Sequence, residues 1–265
     1  MKRRSFVKAS LLSGAIPAVA QAAFAGSTSA QKTTREYYEL RTYSLRDATQ
    51  QQMVEDYYQH AAIPAYNKIG NKNIGVFTEL KPEGQTKLYV VIPYKSIEDF
   101  SNAKGKLMND KTYMDAANAY LNAPATAPAY DRIESALLQA FPRMPEMAPT
   151  TPGKPRIFEL RRYESPSEAA GLKKIEMFNE GGEMDIFKKT GLRAVFFGQS
   201  LIGEYQPNLT YMLTFDDMAD HDKSWGTFGS SPEWNKLKSI PDYADAKLIS
   251  KITAIFLQPT AYSQI

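Results

Sequence analysis

The sequence contains no cysteine, only two histidines and no long apolar run, and each absence excludes a class of function. Without cysteine, the chain has no disulfide, no thiolate nucleophile and no cysteine-ligated metal. His60 and His221 lie far apart and match no metal-ligand spacing, so we expect no metal site. No apolar run reaches the roughly 18–20 residues that span a bilayer, so the mature protein is predicted not to be membrane-spanning. Nucleotide-binding glycine motifs and the serine hydrolase motif Gly-x-Ser-x-Gly are missing as well.

The first 25 residues have the parts of an export signal: a basic head, a weakly apolar middle and small residues before position 25. The head resembles the twin-arginine class through Arg3, Arg4, Phe6 and Lys8. We predict a signal peptide over 1–25, a flexible mature N-terminus over 26–35 and a periplasmic or otherwise exported protein. The twin-arginine translocase would be its partner during export. That route carries folded cargo with or without a cofactor, so the cofactor stays unknown.

The net charge also belongs largely to this leader. The whole chain carries a formal charge of +3, but the first 25 residues hold four basic residues and no acid, which leaves about −1 for the remainder. A nearly neutral mature chain offers no electrostatic footprint for nucleic acid. We therefore expect no nucleic-acid partner.

The remainder of the chain contains an internal repeat. The segment Tyr38-Glu-Leu-Arg-Thr-Tyr43 recurs 120 residues later as Phe158-Glu-Leu-Arg-Arg-Tyr163. Each copy is followed by a helical pattern, two apolar strand patterns, a second helical pattern and a closing strand, the order β-α-β-β-α-β of a ferredoxin-like unit. We place the units at 36–141 and 156–265, joined by a linker over 142–155 whose five prolines favour an extended connector.

Two motifs resemble the NIPSNAP family of dimeric α/β-barrel domains. The first is Glu-Leu-Arg-x-Tyr, present in both copies, and the second, present only in the later copy, is formed by Trp225, Phe228, Pro232, Glu233 and Trp234. The resemblance implies an α+β fold in which two ferredoxin-like βαββαβ units pack sheet to sheet as an α/β barrel within one chain. It implies no settled reaction, so no catalytic residue is assigned. A homo-oligomer is compatible with it.

The repeated motif supplies most of the candidate site residues. Alternate strand residues point to opposite faces, so Glu39, Arg41 and Tyr43 share one face, as do Glu159, Arg161 and Tyr163 in the second copy. We predict that these polar faces meet in the barrel interior, while Tyr38 and Leu40 pack beneath the helices. Buried charges need partners. Two interpretations therefore stay open: structural Glu–Arg ion pairs, or a site for an anionic or polar small molecule.

His60 is a further candidate ligand-binding residue. It lies at the edge of an apolar helical stripe, close to Tyr57 and just before Pro64. Histidine suits a general base or a ligand contact, but a structural histidine is the alternative. Its counterpart in the second copy is Glu180; this residue and Glu183 are expected to be solvated acids, and His221 is expected to be exposed.

Two functions follow as hypotheses. In the first, the barrel binds a small organic molecule between its two sheets, with or without catalysis. In the second, it is a non-catalytic interaction or structural protein of the cell envelope. A cavity of roughly 300 Å³ or more, lined by His60, Arg41 and tyrosines, would favour binding. A collapsed interior with each glutamate paired to an arginine would favour the second.

Overall fold

A computed structural model of the chain describes residues 34–150 and 156–265. The predicted signal peptide with its twin-arginine motif, nearly all of the predicted segment 26–35 and the end of the predicted linker lie outside these residues. Among the residues that are described, no helix is both long and apolar enough to cross a bilayer.

Each half of the chain has the predicted β-α-β-β-α-β order. The strands of the first half are β1 Tyr37–Leu45, β2 Gly75–Glu79, β3 Thr86–Tyr94 and β4 Arg132–Ala140. Its α-helices are α1 Ala48–Asp56, α2 Ile63–Lys68, α3 Ile97–Met108, α4 Lys111–Ala116 and α5 Asn118–Leu121, with a π-helical segment Tyr57–Ala62 between α1 and α2. The side-chain oxygen of Asp47 caps α1 and that of Ser96 caps α3.

The second half repeats this order. Its strands are β5 Ile157–Glu164, β6 Arg193–Ile202, β7 Asn208–Phe215 and β8 Lys251–Pro259. Its α-helices are α6 Glu168–Asn179, α7 Glu183–Lys189, α8 Met218–Ser230, α9 Pro232–Lys238 and α10 Asp245–Leu248, with a 3₁₀ turn Pro241–Tyr243. Trp225, Phe228 and Trp234 pack into the core of this half.

The eight strands form one closed barrel in the order β1-β3-β2-β8-β5-β7-β6-β4. The two halves join edge to edge, through β2 with β8 and through β4 with β6, and every pair is antiparallel. Closure leaves no strand of the barrel with an unpaired edge. The predicted barrel within one chain is therefore confirmed.

The strand faces point the opposite way from our prediction. Tyr38 and Leu40 lie in a central apolar cluster to which all eight strands contribute, so this face lines the barrel interior. Arg41 and Tyr43 instead contact tyrosines of the outer helical layer. The prediction that the Glu/Arg/Tyr faces meet in the interior is wrong, for Glu39, Arg41 and Tyr43 and equally for Glu159, Arg161 and Tyr163.

The two ends of the barrel differ. At one end Met147 and the C-terminal Ile265 are buried in the central cluster. Ile265 lies so close to Gly75 that a Cβ at Gly75 would approach it to 2.9 Å. At the other end, where β1 and β5 finish, the interior is open. This open end, which we call the barrel mouth, offers space between the two halves.

Candidate functional site

The first predicted pair, Glu39 and Arg41, forms a two-point ion pair beneath the helices of the first half. Arg41 Nε lies 2.6 Å from Glu39 Oε1, and Arg41 Nη2 lies 3.0 Å from Glu39 Oε2. Tyr94 on β3 donates its hydroxyl to Glu39 Oε2 at 2.9 Å. Since Glu39 is buried, these partners meet the requirement that a buried carboxylate be compensated.

Tyrosine hydroxyls extend this pair into a network. Arg41 donates to Tyr58 at 3.3 Å and to Tyr66 at 3.2 Å, and the Tyr43 hydroxyl lies 2.8 Å from that of Tyr58. Burial raises the pKa of Tyr43 and Tyr58 well above the ordinary value. Both phenols therefore stay protonated at neutral pH, which leaves them as hydrogen-bonding groups and not as bases.

The π-helical segment explains how two neighbouring tyrosines, Tyr57 and Tyr58, both turn toward the core. A π turn inserts one extra residue into a helix, so consecutive side chains can turn toward the core. Tyr57 and Tyr58 are both buried there, and the Tyr57 hydroxyl meets that of Tyr113 at 3.0 Å. The equivalent level of the second half is different, because α6 ends at Asn179 and α7 begins after Gly182, whose φ is +87°.

The second predicted pair, Glu159 and Arg161, also forms an ion pair, but its additional partners differ from those of the first. Arg161 Nη1 donates to Glu159 Oε1, and Trp225 Nε1 donates to Glu159 Oε2 at 2.8 Å. The guanidinium carbon of Arg161 lies 4.6 Å from the centroid of the Trp225 ring, and Arg161 Nη2 is 3.3 Å from the Tyr163 hydroxyl. The structure thus brings each Glu/Arg/Tyr triad together, one in each half, but does not bring the two triads together.

His221 belongs to this second cluster, contrary to our expectation that it would be exposed. Its side chain is only 14% exposed, and its Nε2 lies 3.5 Å from Glu159 Oε2. The ring also packs edge-on against Phe215 and Phe256. The spacing of four residues to Trp225 is the sequence signal for this placement, since residues four apart share a helix face.

His60 lies apart from both triads. It is exposed, and it lines an open groove of about 770 Å³ on the helical layer together with Asp56, Tyr57 and Tyr120. Arg41 does not line that groove. His60 and Arg41 therefore do not share this groove, so it is not the common cavity that would have favoured binding, and a role for these residues in ligand binding stays a prediction.

A buried ion pair between Lys174 and Glu183 was missed by the sequence reasoning, which placed Glu183 in solvent. Lys174 Nζ lies 3.1 Å from Glu183 Oε2, and the two side chains are 1% and 3% exposed. Burial raises the pKa of Glu183 above its ordinary value, and the charge of Lys174 opposes that rise. Nothing in the spacing of these residues distinguishes them from ordinary surface charges.

The barrel mouth contains a cavity of about 220 Å³ between the two halves. Its floor is apolar and is formed by Leu40, Ala136, Leu160 and Ile255. Its rim is polar, with Thr42, Lys87, Glu134, Arg162, Glu204, Asn208, Thr210 and Thr253 among its residues. Both halves contribute to the floor and to the rim. An apolar floor with a few polar groups is the ordinary composition of a small-molecule site.

No group of three or more potential metal ligands occurs within 34–150 and 156–265. The carboxylates of the two repeated motifs, Glu39 and Glu159, are already engaged by arginine together with tyrosine or tryptophan. These groups can position or bind a ligand. Burial lowers the pKa of Arg41, but Tyr58, Tyr66 and Glu39 raise it well above its ordinary value, so Arg41 stays a cation.

The architecture is that of a ferredoxin-like α/β barrel assembled from two copies of one unit. The model of the NIPSNAP family matches residues 38–142 and again residues 158–264. The chain therefore belongs to the NIPSNAP family and carries its domain twice. No curated protein matches it significantly.

Solved structures share this fold at low identity. A protein of Fusobacterium nucleatum, proposed to be a monooxygenase, is 11% identical with a TM-score of 0.54 and covers 86% of this chain and 93% of its own. A second proposed monooxygenase, from Lactobacillus acidophilus, is 8% identical with a TM-score of 0.55, over 85% of this chain and 94% of its own. A NIPSNAP family protein of unknown function from Agrobacterium tumefaciens is 22% identical, with a TM-score of 0.36, over 42% of this chain and 94% of its own. The first two similarities show the fold alone.

Proposed function

We propose that this protein binds a small organic molecule at the barrel mouth, between the two halves of the barrel. The observation that carries the proposal is the cavity of about 220 Å³, with its apolar floor and polar rim, at the one end of the barrel that is not filled by Met147 and Ile265. The predicted location between the sheets is retained, but the proposed contacts come from the opposite strand face, through Leu40, Leu160 and Arg162. No reaction is assigned.

Filling the cavity tests this proposal. Leu40→Trp places a larger ring on the cavity floor, where it occupies volume that the ligand would otherwise fill. Because apolar pockets are sensitive to small changes in steric fit, we expect ligand binding to weaken at least roughly tenfold. Native mass spectrometry of the protein purified from the periplasm would report a retained molecule in the natural protein and its loss in the variant. Leu172→Trp makes the same change at a side chain that is 58% exposed, and serves as the matched control.

Overpacking alone costs about 1–3 kcal/mol, so thermal unfolding of both variants must accompany the binding measurement. A natural protein that retains no molecule over several preparations would contradict the proposal. The alternative, an interaction protein of the cell envelope, is favoured by the exposed Leu201, Ile202 and Tyr205 near the mouth. Co-purification of a partner protein that Tyr205→Ser releases would support that alternative.

We also propose that the chain is exported by the twin-arginine route and acts in the periplasm, on the basis of Arg3, Arg4, Phe6 and Lys8. Lysine at both Arg3 and Arg4 keeps the positive charge but removes the paired guanidinium groups. We expect this variant to accumulate as uncleaved precursor in the cytoplasmic fraction of a bacterial host, as seen by fractionation and intact mass. Equal amounts of periplasmic protein from the natural chain and the variant would contradict the proposed export route.

A further inference from the structure

A second cavity lies in the first half, at the end of the barrel where β1 begins, opposite the mouth. It has a volume of about 400 Å³ and lies between the loop 69–73, which joins α2 to β2, and the start of α3. Its charged lining residues are Glu36, Lys72, Lys95 and Asp99. A volume of this order is typical of small-molecule sites. None of its lining residues lines the barrel mouth, so the two cavities are separate.

The loop wall of this cavity has a defined conformation. Gly70 has a φ of +103° and Asn73 a φ of +58°, and asparagine is one of the few residues besides glycine that readily adopt such angles. The buried Asn71 side chain donates to the carbonyl of Pro93 at 2.6 Å, which ties the loop to the end of β3. A wall fixed in this way lowers the entropy that is lost when a ligand binds.

Two groups of opposite charge share this cavity without forming an ion pair. Neither Glu36 nor Lys95 has an ion-pair partner in the part of the chain that the structure describes. Glu36 accepts the backbone amide of Met147 at 2.7 Å. Burial raises the pKa of Glu36, and the Met147 amide and the charge of Lys95 are among the effects that oppose this rise. The two side chains therefore act on each other electrostatically without contact.

The other two charges of the cavity already have polar partners. The Asp99 carboxylate accepts the Ser96 hydroxyl at 3.0 Å and lies 3.8 Å from Lys106 Nζ. Lys72 Nζ donates to the carbonyl of Asn67 at 3.1 Å. Both can add to the binding of a charged ligand, but the groups most in need of a partner are one carboxylate and one ammonium.

The second copy of the unit fills the corresponding space with its own ion pairs. Lys95, between the end of β3 and the residue that caps α3, is replaced there by Asp216. The position of Arg193, at the start of β6, is taken in the first copy by Asn73, just before β2. Arg193 Nη2 lies 3.1 Å from Asp216 and 2.7 Å from Asp220. The first copy lacks both partners of this bridge, so its charges stay available.

From these observations we propose that this cavity binds a small zwitterion, a molecule that carries one ammonium and one carboxylate group, as an amino acid does. The ligand ammonium lies against Glu36 and the ligand carboxylate against Lys95. A simple anion would leave the charge of Glu36 uncompensated and a simple cation that of Lys95, whereas a zwitterion complements both. This site is independent of the one proposed at the barrel mouth, and no reaction is assigned to it.

Amide chemical shifts of the nitrogen-15-labelled protein, followed during titration with three probes, test the proposal. β-Alanine carries both charges, propionate only the carboxylate and propylamine only the ammonium. The natural protein should bind β-alanine most tightly. The shifts should lie in the loop 69–73 and at the start of α3, and the amides of the barrel mouth should not move.

Two variants separate the two charges. Lys95→Gln should weaken β-alanine about tenfold, the lower end for a hydrogen bond to a charged group, and should not weaken propylamine. Glu36→Gln keeps an acceptor for the Met147 amide and should weaken β-alanine by a similar factor without weakening propionate. Lys104→Gln and Glu98→Gln remove the same charges at exposed positions of α3 outside the cavity, and should change none of the affinities.

Three results would contradict the proposal, and none of them bears on the barrel mouth. The absence of shifts around the cavity with every probe would overturn the site. Propionate or propylamine binding as tightly as β-alanine would overturn the zwitterionic class. Unchanged β-alanine binding in folded Lys95→Gln and Glu36→Gln proteins would overturn the role of these two residues. Thermal unfolding checks that the variants fold, and the natural protein with the three probes decides the first two points even if one does not.

Discussion

Replacing Glu183 with alanine is expected to lower the free energy of unfolding by about 3–5 kcal/mol, the cost of breaking a buried ion pair from one side. The variant would leave the Lys174 ammonium, 1% exposed, without its carboxylate at 3.1 Å. The remaining neighbours include Met177 Sδ at 3.3 Å, the Tyr163, Phe178 and Trp234 rings at 5.7, 5.0 and 5.7 Å, and the more exposed Asp245 carboxylate at 3.7 Å. Cation–π contacts contribute only about 1–2 kcal/mol, so they cannot replace Glu183. Urea denaturation of both proteins measures the difference.

Two further variants make this measurement specific. Lys174→Met combined with Glu183→Leu removes both charges, and we expect it to recover most of the loss, because apolar residues of similar volume often replace a buried pair without cost. Lys173→Ala breaks the neighbouring exposed pair with Glu176 and should change the free energy of unfolding far less than Glu183→Ala does, because exposed ion pairs contribute little to stability. A loss below about 1 kcal/mol in Glu183→Ala would show that Lys174 reaches water or gives up its proton.

The first half shows that the fold itself does not need this pair. Lys174 lies seven residues after Ser167, which caps α6, and Val54 lies seven residues after Asp47, which caps α1. Both side chains are fully buried. The same position therefore accepts an aliphatic side chain in one copy and an ammonium in the other. The second copy carries a charge where the first copy has an ordinary apolar core contact.

The repeat made the fold predictable. Two copies of one strand motif at a constant spacing, each followed by the same order of helical and strand patterns, specify two ferredoxin-like units. Each unit leaves one sheet face uncovered, and two such faces in one chain can cover each other. Closure into a single barrel through β2–β8 and β4–β6 follows from this, although the register of these contacts cannot be read from the sequence.

The face assignment failed for a physical reason. Alternation separates Tyr38 and Leu40 from Glu39 and Arg41 but does not say which set points inward. In this barrel both strand faces are buried, one in the interior and one beneath the helices, so polarity alone cannot decide. The barrel interior is packed with apolar side chains from all eight strands, which leaves no polar partner there for a charge. The helical layer instead offers tyrosine hydroxyls as partners for Glu39 and Arg41.

The mouth residues were missed for a related reason. Thr42, Arg162 and Thr253 come from three strands, and only the closed barrel brings them together. Arg162 directly follows the repeated Glu-Leu-Arg motif, and the first copy carries Thr42 there. That difference between the copies is the sequence signal that points to the mouth.

Replacing Arg41 with methionine is expected to cost about 3 kcal/mol of stability, at the lower end for a buried pair because the Arg41 side chain is 20% exposed. Glu39 would keep only the Tyr94 hydroxyl, and Tyr58 and Tyr66 would lose a donor. Urea denaturation should show the loss, and Glu39→Gln in the same chain should restore part of it. Arg46→Met, which breaks an exposed pair with Asp131, is the matched control and should cost less than about 1 kcal/mol.

The same variant separates the two interpretations of the repeated motif. Because Arg41 lies on the outer strand face and Leu40 on the cavity face, Arg41→Met should leave the affinity for the molecule that the natural protein retains within about twofold. Leu40→Trp should abolish its binding. If a folded Arg41→Met protein instead bound the retained molecule more than about tenfold more weakly, the ligand would lie beneath the helices. The Glu–Arg pairs would then be binding groups, and the structural interpretation that their geometry favours would have to be given up.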